Sequence, residues 1–590
     1  MKWERPFLII DRNLAGKSLK QLLGAIIPFA IVFVGVFLCY LFIRNGSVYE
    51  KLGQAFVDTT VPSTIYNEVY DTIQPFNNDV GQCNAKPSLG DIIWFTIIYI
   101  FGTIAFTGLL ISAITNIWRT RAEKFRRGTV SYNFKGHIVF IGYNNLVPGM
   151  IQKICEENED TRVVVGVEDK ASTISDKIKN RLWEKYRNNV VTLKADSCNR
   201  EDLKRLRVPY AEEVYIIGEH DDAYNLKCYR TIYELSLCDY SRESKMPKCY
   251  VNLHSQATLT LFRTYASADE LGIDFTNFHS FSFYDEWAKY MIKKHWESSE
   301  DIQDHFIIAG MTEMGIALAR KIVLLCHKPS KEKHTIINFI DDDMVSKSKL
   351  FIIQNQDFFD RCHYKIKTRQ VYLTHEPEAD KDLLDVAFEF IEGNLSEEEI
   401  RQKLNDTALD EKKTTTIAIC HDDPQQNITM GLSLPKNFNG DNCDARVWIY
   451  QPTLGDLGKY LESERYTYFE TFGMSGEELD VRNEICTKRA LLINHFFLHK
   501  KEPTLDFSKK FLIETEWEGT DIAKRWICIR HAEYIPFLTK YKDSDSKMTT
   551  VERNRSVADI FLFGEESLYS LENDFYSKYI DALKSIVKEK

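Results

Sequence analysis

Residues 137–154 read HIVFIGYNNLVPGMIQKI. Four apolar residues end at Gly142, and a helical pattern follows at once. A short buried strand, a turn opening on glycine and a helix make the first half of a nucleotide-binding βαβ unit. The next strand, in RVVVGVEDK, ends on Glu168 and Asp169, where such a unit places the acid that meets a ribose. A third strand, in NVVTLKAD, ends on Asp196. EEVYIIG is a fourth, and DDAYN behind it starts a helix near Asn225.

The pattern then recurs. DHFIIAGMTEMGIALARKI gives strand, turn and helix again, with Gly310, Thr312 and Gly315 in the three positions of a GxGxxG turn. HTIINFIDDD closes its strand on Asp341, and TTTIAICHDDPQQNITMG echoes EVYIIGEHDDAYNLK. Repetition on this scale predicts two tandem doubly wound α/β domains, 137–300 and 301–478. The two turns differ. The first has Asn144 and Val147 in place of its second and third glycines, and the second departs only at Thr312. A pyrophosphate needs close backbone approach at these positions, so the second turn is the better match to a dinucleotide. The candidate cofactor-binding residues are Gly142, Glu168, Asp169, Asp196, Gly310, Thr312, Gly315 and Asp341. Glycines that merely permit a tight strand-to-helix turn are the plainer reading.

Upstream the chain changes character. No charge interrupts Gln21 to Ile43 or Ile92 to Trp118. The first run, 23 residues long, covers roughly 34 Å as a helix, enough to cross a bilayer. It is too long and starts too late for a secretory signal. Lys2, Arg5, Arg12, Lys17 and Lys20 precede it, and Arg119, Arg121, Lys124, Arg126 and Arg127 follow the second run, whereas the loop between is acidic. These charges place both termini in the cytosol. The expected order is a cytosolic N-terminus (1–20), a membrane helix (21–44), an outer loop (45–90), a second membrane helix (91–118) and a basic linker (119–136). The two α/β domains come next, then a helix-rich region, 479–590. A net charge of −11 argues against a nucleic-acid partner. The thirteen cysteines form no CxxC pair or zinc-spaced cluster and read as buried thiols. No GxSxG, HExxH or Walker A motif suggests an enzyme.

The strand order, the acids and RVPYAEEVYIIG with DDAYN resemble the regulator-of-potassium-conductance domains of cation channels. RRGTVSYNFKGHIVFIGYNNL is similar to the join between pore and cytosolic ring in the castor/pollux ion-channel family. The resemblance spans roughly residues 117–475. It implies a homotetramer in the plasma (cytoplasmic) membrane, passing monovalent or divalent cations and gated by a cytosolic ligand, either a nucleotide (NAD-like or cyclic) or Ca²⁺. Asp221 and Asp222, in the string Glu219–Asp222, are the candidate Ca²⁺ ligands; acids at strand ends more often cap helices.

In that light NDVGQCNAKPSLGD (78–91) compares with a potassium filter. Val80 and Gly81 fall in register, Gln82 and Cys83 replace its Tyr-Gly, and Asp79 replaces the threonine before it. A cysteine disturbs a ladder of carbonyls that needs glycine, and a ring of Asp79 carboxylates favours cations without selecting potassium. Thr103 and Thr107 share the helix face of Thr96 and suit a wetted lumen, and Gly102 and Gly108 are candidate gate hinges. An ordinary acidic loop is the alternative. At the C-terminus, ERNRSVADIF (552–561) faintly resembles the end of a ryanodine-receptor repeat. The leading expectation is a ligand-gated cation channel subunit. The other is a membrane-tethered nucleotide- or Ca²⁺-sensing scaffold without a pore.

Overall fold

IVFI (Ile138–Ile141) and VVVGV (Val163–Val167) are buried along their whole length. Strands covered on both faces lose the apolar–polar alternation and read as continuous runs, as parallel sheets require. The structure, a computed structural model, describes residues 118–584 together with 111 and 115. Residues 169, 219–220, 239–245, 265–276, 298–301, 330–334, 378–383, 411, 435–444, 453–468, 475, 477, 500–509 and 559–578 are outside it. The expected membrane segments fall almost wholly outside the described residues. So do Asp79, Val80, Gly81, Gln82, Cys83, Gly102, Thr103, Thr107 and Gly108. Among the described residues no helix is long and apolar enough to cross a membrane. Residues 1–133 with 170–172 form one unit and the rest another. In the first, a helix over 118–126 closes with the Thr129 amide on the Lys124 carbonyl.

In the second unit the chain runs β1 (Ile138–Ile141), α1 (Val147–Glu157), β2 (Val163–Val167), α2 (Ala171–Arg181), β3 (Val190–Lys194), α3 (Arg200–Arg205), β4 (Glu213–Ile216), α4 (Asp222–Cys238), β5 (Lys248–Asn252), α5 (Gln256–Thr264), β6 (Phe278–Phe281) and α6 (Phe283–His295). The six strands are all parallel, in the order β3-β2-β1-β4-β5-β6. The order reverses between β1 and β4, which opens a crevice at their carboxyl ends.

The second sheet repeats this order. It uses β7 (Gln303–Ala309), α7 (Glu313–Leu325), β8 (Thr335–Asp341), α8 (Met344–Gln354), α9 (Gln356–Phe359), β9 (His363–Lys367), β10 (Tyr372–His375), β11 (Val386–Glu392), α10 (Glu398–Ala408), β12 (Lys413–Ile419), α11 (Pro424–Leu432), β13 (Arg446–Tyr450) and β14 (Phe469–Phe472). The sheet runs β10-β9-β11-β8-β7-β12-β13-β14. Without β9 and β10 this is the arrangement of the first sheet. The added pair sits beyond β11, with β10 antiparallel to β9 at the edge. The repeated asparagine does the same work in both domains: Asn225 donates to the Asn252 carbonyl at 2.9 Å, and Asn427 to that of Tyr450 at 2.8 Å. Each ties the helix after the fourth strand to the end of the fifth.

The C-terminal region holds α12 (Glu484–His499), α13 (Lys510–Glu518), α14 (Ile522–Leu538) and α15 (Asp545–Ala558). Its aromatics, among them Phe496, Tyr534 and Phe537, are buried between helices. α14 reaches both α/β domains through a buried ion cluster. Glu533 takes Lys289 of α6 at 3.4 Å and Lys321 of α7 at 3.3 Å, while Asp285 takes Lys321 at 3.2 Å and Arg263 of α5 at 3.0 Å. Beyond β14 the chain returns to the first domain. Gly476 packs so closely on α1 that a Cβ there would lie 2.1 Å from the Leu146 carbonyl oxygen. Lys153 donates to the Leu479 carbonyl at 2.8 Å, and Arg482 holds Glu213 at 2.7 Å and the Tyr215 hydroxyl at 3.1 Å. Nine of the described cysteines are free thiols, seven of them buried.

Candidate functional site

At the end of β1 the chain must turn within reach of β4. Gly142 has φ +95°, and a Cβ on it would fall 2.0 Å from the Ile217 carbonyl oxygen, so only glycine fits. The turn opens into a cavity of ≈ 660 Å³ at the switch point of the first sheet, the position where ligands bind in open α/β sheets. Its floor is the turn itself, and Glu168 stands on its rim at the end of β2.

Asn144 occupies the place of the second glycine. Its side-chain oxygen accepts the amides of Leu146 at 3.0 Å and Val147 at 3.2 Å. Those are the N–H groups at the start of α1 that an anion would need. Val147, at the third glycine position, is fully buried.

Glu168 accepts the Tyr224 hydroxyl at 2.5 Å and the Ser197 hydroxyl at 3.1 Å. Asp196 lies 3.4 Å from the same phenol and accepts the Cys198 amide at 2.9 Å. Burial and then the Glu168 carboxylate push the Tyr224 phenol well up, so it stays a donor at neutral pH. The far wall is aromatic and comes from further along the chain: Tyr284 and Trp287 on α6, and Tyr450 at the end of β13. The Tyr284 and Tyr450 rings meet edge to face at 6.2 Å. Two buried donors on residues of this lining, the Tyr143 hydroxyl and the Trp287 indole N–H, have no hydrogen-bond partner in the structure. Buried donors are normally satisfied, and these two are groups for a polar ligand to meet.

The expected site residues thus divide. Gly142, Glu168 and Asp196 gather around the cavity, and Asp169 lies outside the described residues. Gly310, Thr312, Gly315 and Asp341 gather at the equivalent turn of the second sheet, where their polar groups are taken up by the turn and its neighbours. Asp341 accepts the amides of Met311 at 2.8 Å and Asp343 at 3.0 Å and pairs with Lys347 at 2.8 Å. Burial raises that carboxyl, but Lys347 and the two amides outweigh it and hold it below the ordinary range. Thr312 caps α7 through the Gly315 amide at 3.3 Å and donates to the Cys420 carbonyl at 2.5 Å. Gly315 is needed because a Cβ would meet the Gly310 carbonyl oxygen at 2.3 Å. Asp221 caps α4 by accepting the Tyr224 amide at 3.2 Å. Asp222 accepts the amides of His254 at 2.6 Å and Ser255 at 3.0 Å. Both carboxylates therefore already have amide partners. Tyr143, Ser197, Tyr224, Tyr284, Trp287 and Tyr450 are among the lining residues that the sequence did not single out.

No family model and no curated protein matches the chain. Among solved structures it is similar to the GsuK channel bound to NAD, at 12% identity over 82% of this chain and 85% of that one, with a TM-score of 0.41. It is also similar to the GsuK RCK domain, at 10% identity over 59% and 75%, TM-score 0.32. The human SLO3 gating ring gives 8% identity over 66% and 85%, TM-score 0.34. At these scores the likeness carries no inference about function, which has to come from the cleft's own residues.

Proposed function

We propose that the chain is a subunit of a ligand-gated cation channel in the plasma (cytoplasmic) membrane. In this reading the segments 21–44 and 91–118 cross the bilayer with both termini cytosolic, and four copies close one pore at Asp79–Cys83. The tandem α/β domains read a cytosolic ligand. The observation that carries the reading is the ≈ 660 Å³ cleft, whose floor belongs to the first sheet and whose far wall includes Tyr450 of the second. A ligand filling it favours one arrangement of the two domains, and a ligand moves an equilibrium by the difference in its affinity for the two states.

A nucleotide suits the cleft better than Ca²⁺. Glu168 at the end of β2 is placed for ribose hydroxyls, and the aromatic wall offers faces on which a base stacks. The test is planar-bilayer recording of the purified chain under potassium, sodium and calcium gradients, with adenine nucleotides and NAD added on the cytosolic side. Nucleotide-dependent unitary currents are expected, with lower conductance in Asp79→Asn and lost nucleotide response in Glu168→Gln. Silence from a protein that still binds nucleotide would overturn the channel and leave a tethered sensor without a pore.

A further inference from the structure

The C-terminal helices bring together three side chains that the cleft does not use. His495 and His499 stand four residues apart on α12, so they share a face, and their ring centroids are 4.5 Å apart. Both address Glu516 on α13. His495 Nδ1 lies 2.7 Å from one carboxylate oxygen and His499 Nε2 lies 2.8 Å from the other. All three ligating atoms fall within 4.8 Å of one another.

We propose that His495, His499 and Glu516 form a binding site for a divalent transition-metal ion, Zn²⁺ first. Two imidazoles and a carboxylate are a zinc ligand set, and three protein ligands leave a fourth position for water. Imidazole nitrogen is a poor ligand for Ca²⁺ or Mg²⁺, which take oxygen. The backbone under the site is already fixed. Asn494, itself buried, donates to the Thr520 hydroxyl at 3.0 Å, and Thr520 donates to the Glu516 carbonyl at 2.7 Å, holding the end of α13 against α12 beside His495. His495 and Glu516 are largely covered, whereas the His499 side chain is 46% exposed, so an ion can enter from that side. On binding, each imidazole gives the metal the nitrogen that now faces Glu516 and carries its proton on the other ring nitrogen. The ion replaces two hydrogen bonds with three coordinate bonds and fastens α13 to α12. None of the three residues lines the cleft at the first sheet.

The metal-stripped full-length chain is titrated with Co²⁺ alone, followed by its visible absorption, then with Zn²⁺ as competitor, and its melting is recorded with and without Zn²⁺. A single Co²⁺ per chain with the intense absorption of a four- or five-coordinate ion, displaced by Zn²⁺, is expected. His499→Ala, at an exposed position, should keep the far-ultraviolet circular dichroism while weakening binding at least about tenfold and abolishing the Zn²⁺-dependent rise in melting temperature. Glu516→Gln should weaken binding in the same direction. The absence of a cobalt spectrum in the wild-type chain would overturn the proposal. Equal affinity in both variants would overturn it too, because the metal would then lie elsewhere and the histidines would only staple two helices.

Discussion

The Tyr224 hydroxyl donates to the Glu168 carboxylate at 2.5 Å, joining the first turn of α4 to the end of β2 across the rim of the cleft. A ribose that reaches Glu168 must share that carboxylate with the phenol. A hydrogen bond to a charged group contributes about 1.5–3 kcal/mol. Glu168→Gln should therefore weaken nucleotide binding about tenfold or more, measured by calorimetric titration. Unchanged affinity would take the sugar away from Glu168.

Asn144 turns the missing glycine into a plug. Its side-chain oxygen accepts the Leu146 and Val147 amides, and the Val147 amide also lies 3.3 Å from the Asn144 backbone carbonyl oxygen. Asn144→Gly should raise affinity for a dinucleotide relative to the corresponding nucleoside. Its cost in stability should be only a few tenths of a kcal/mol, as for glycine at other helix N-termini. If the variant gains nothing for the phosphorylated ligand, the amides are not the phosphate site.

Glu533 reaches Lys289 and Lys321 together. Burial pushes its carboxyl up, but the two lysines more than offset this and bring it down to about 2. Glu533→Gln leaves two buried ammonium groups short of a counter-ion and should cost about 3 kcal/mol, read as a lower urea midpoint. A loss below about 1 kcal/mol would mean that Asp285 and Glu286 are sufficient partners.

Acid should unfold the protein first through its buried histidines. His137 sits with Nε2 3.0 Å from the Leu206 carbonyl oxygen, and burial holds it at about 4 instead of its ordinary 6.5. His305 is lowered to about 4 for the same reason. Above pH 6.5 both states are neutral and the full stability is present. As the pH falls towards 4 the unfolded chain takes up protons that the native chain refuses, so each histidine removes up to about 3 kcal/mol. His137→Phe should flatten the fall in urea midpoint across that window, and a profile identical to wild type would clear His137 of the effect.

Most of the fold was legible because strands covered on both faces leave long apolar runs, and IVFI before Gly142 and FIIA before Gly310 announce the same turn. The β9–β10 hairpin was not, since HYKIK and YLTH are largely half-buried or exposed and carry no apolar run. The cleft was legible only where chain neighbours form it. Gly142 and Glu168 stand beside their own strands, whereas Tyr284 and Tyr450 reach the cavity through tertiary packing that no local pattern encodes. The second turn reads closer to a dinucleotide motif, yet its Thr312 and Asp341 side chains spend their bonds on the turn itself. The i, i+4 spacing of His495 and His499 is visible in the sequence, but Glu516 arrives from the next helix.

The return of Gly476, Leu479 and Arg482 to α1 and β4 separates covalent order from spatial order. A fragment cut after residue 300 would keep all six strands of the first sheet, yet it would leave Glu213 and Tyr215 without Arg482 and uncover the flank of α1. The cleft would also lose Tyr450 from its far wall. The packing of the first domain is thus completed by residues that follow the second in the chain.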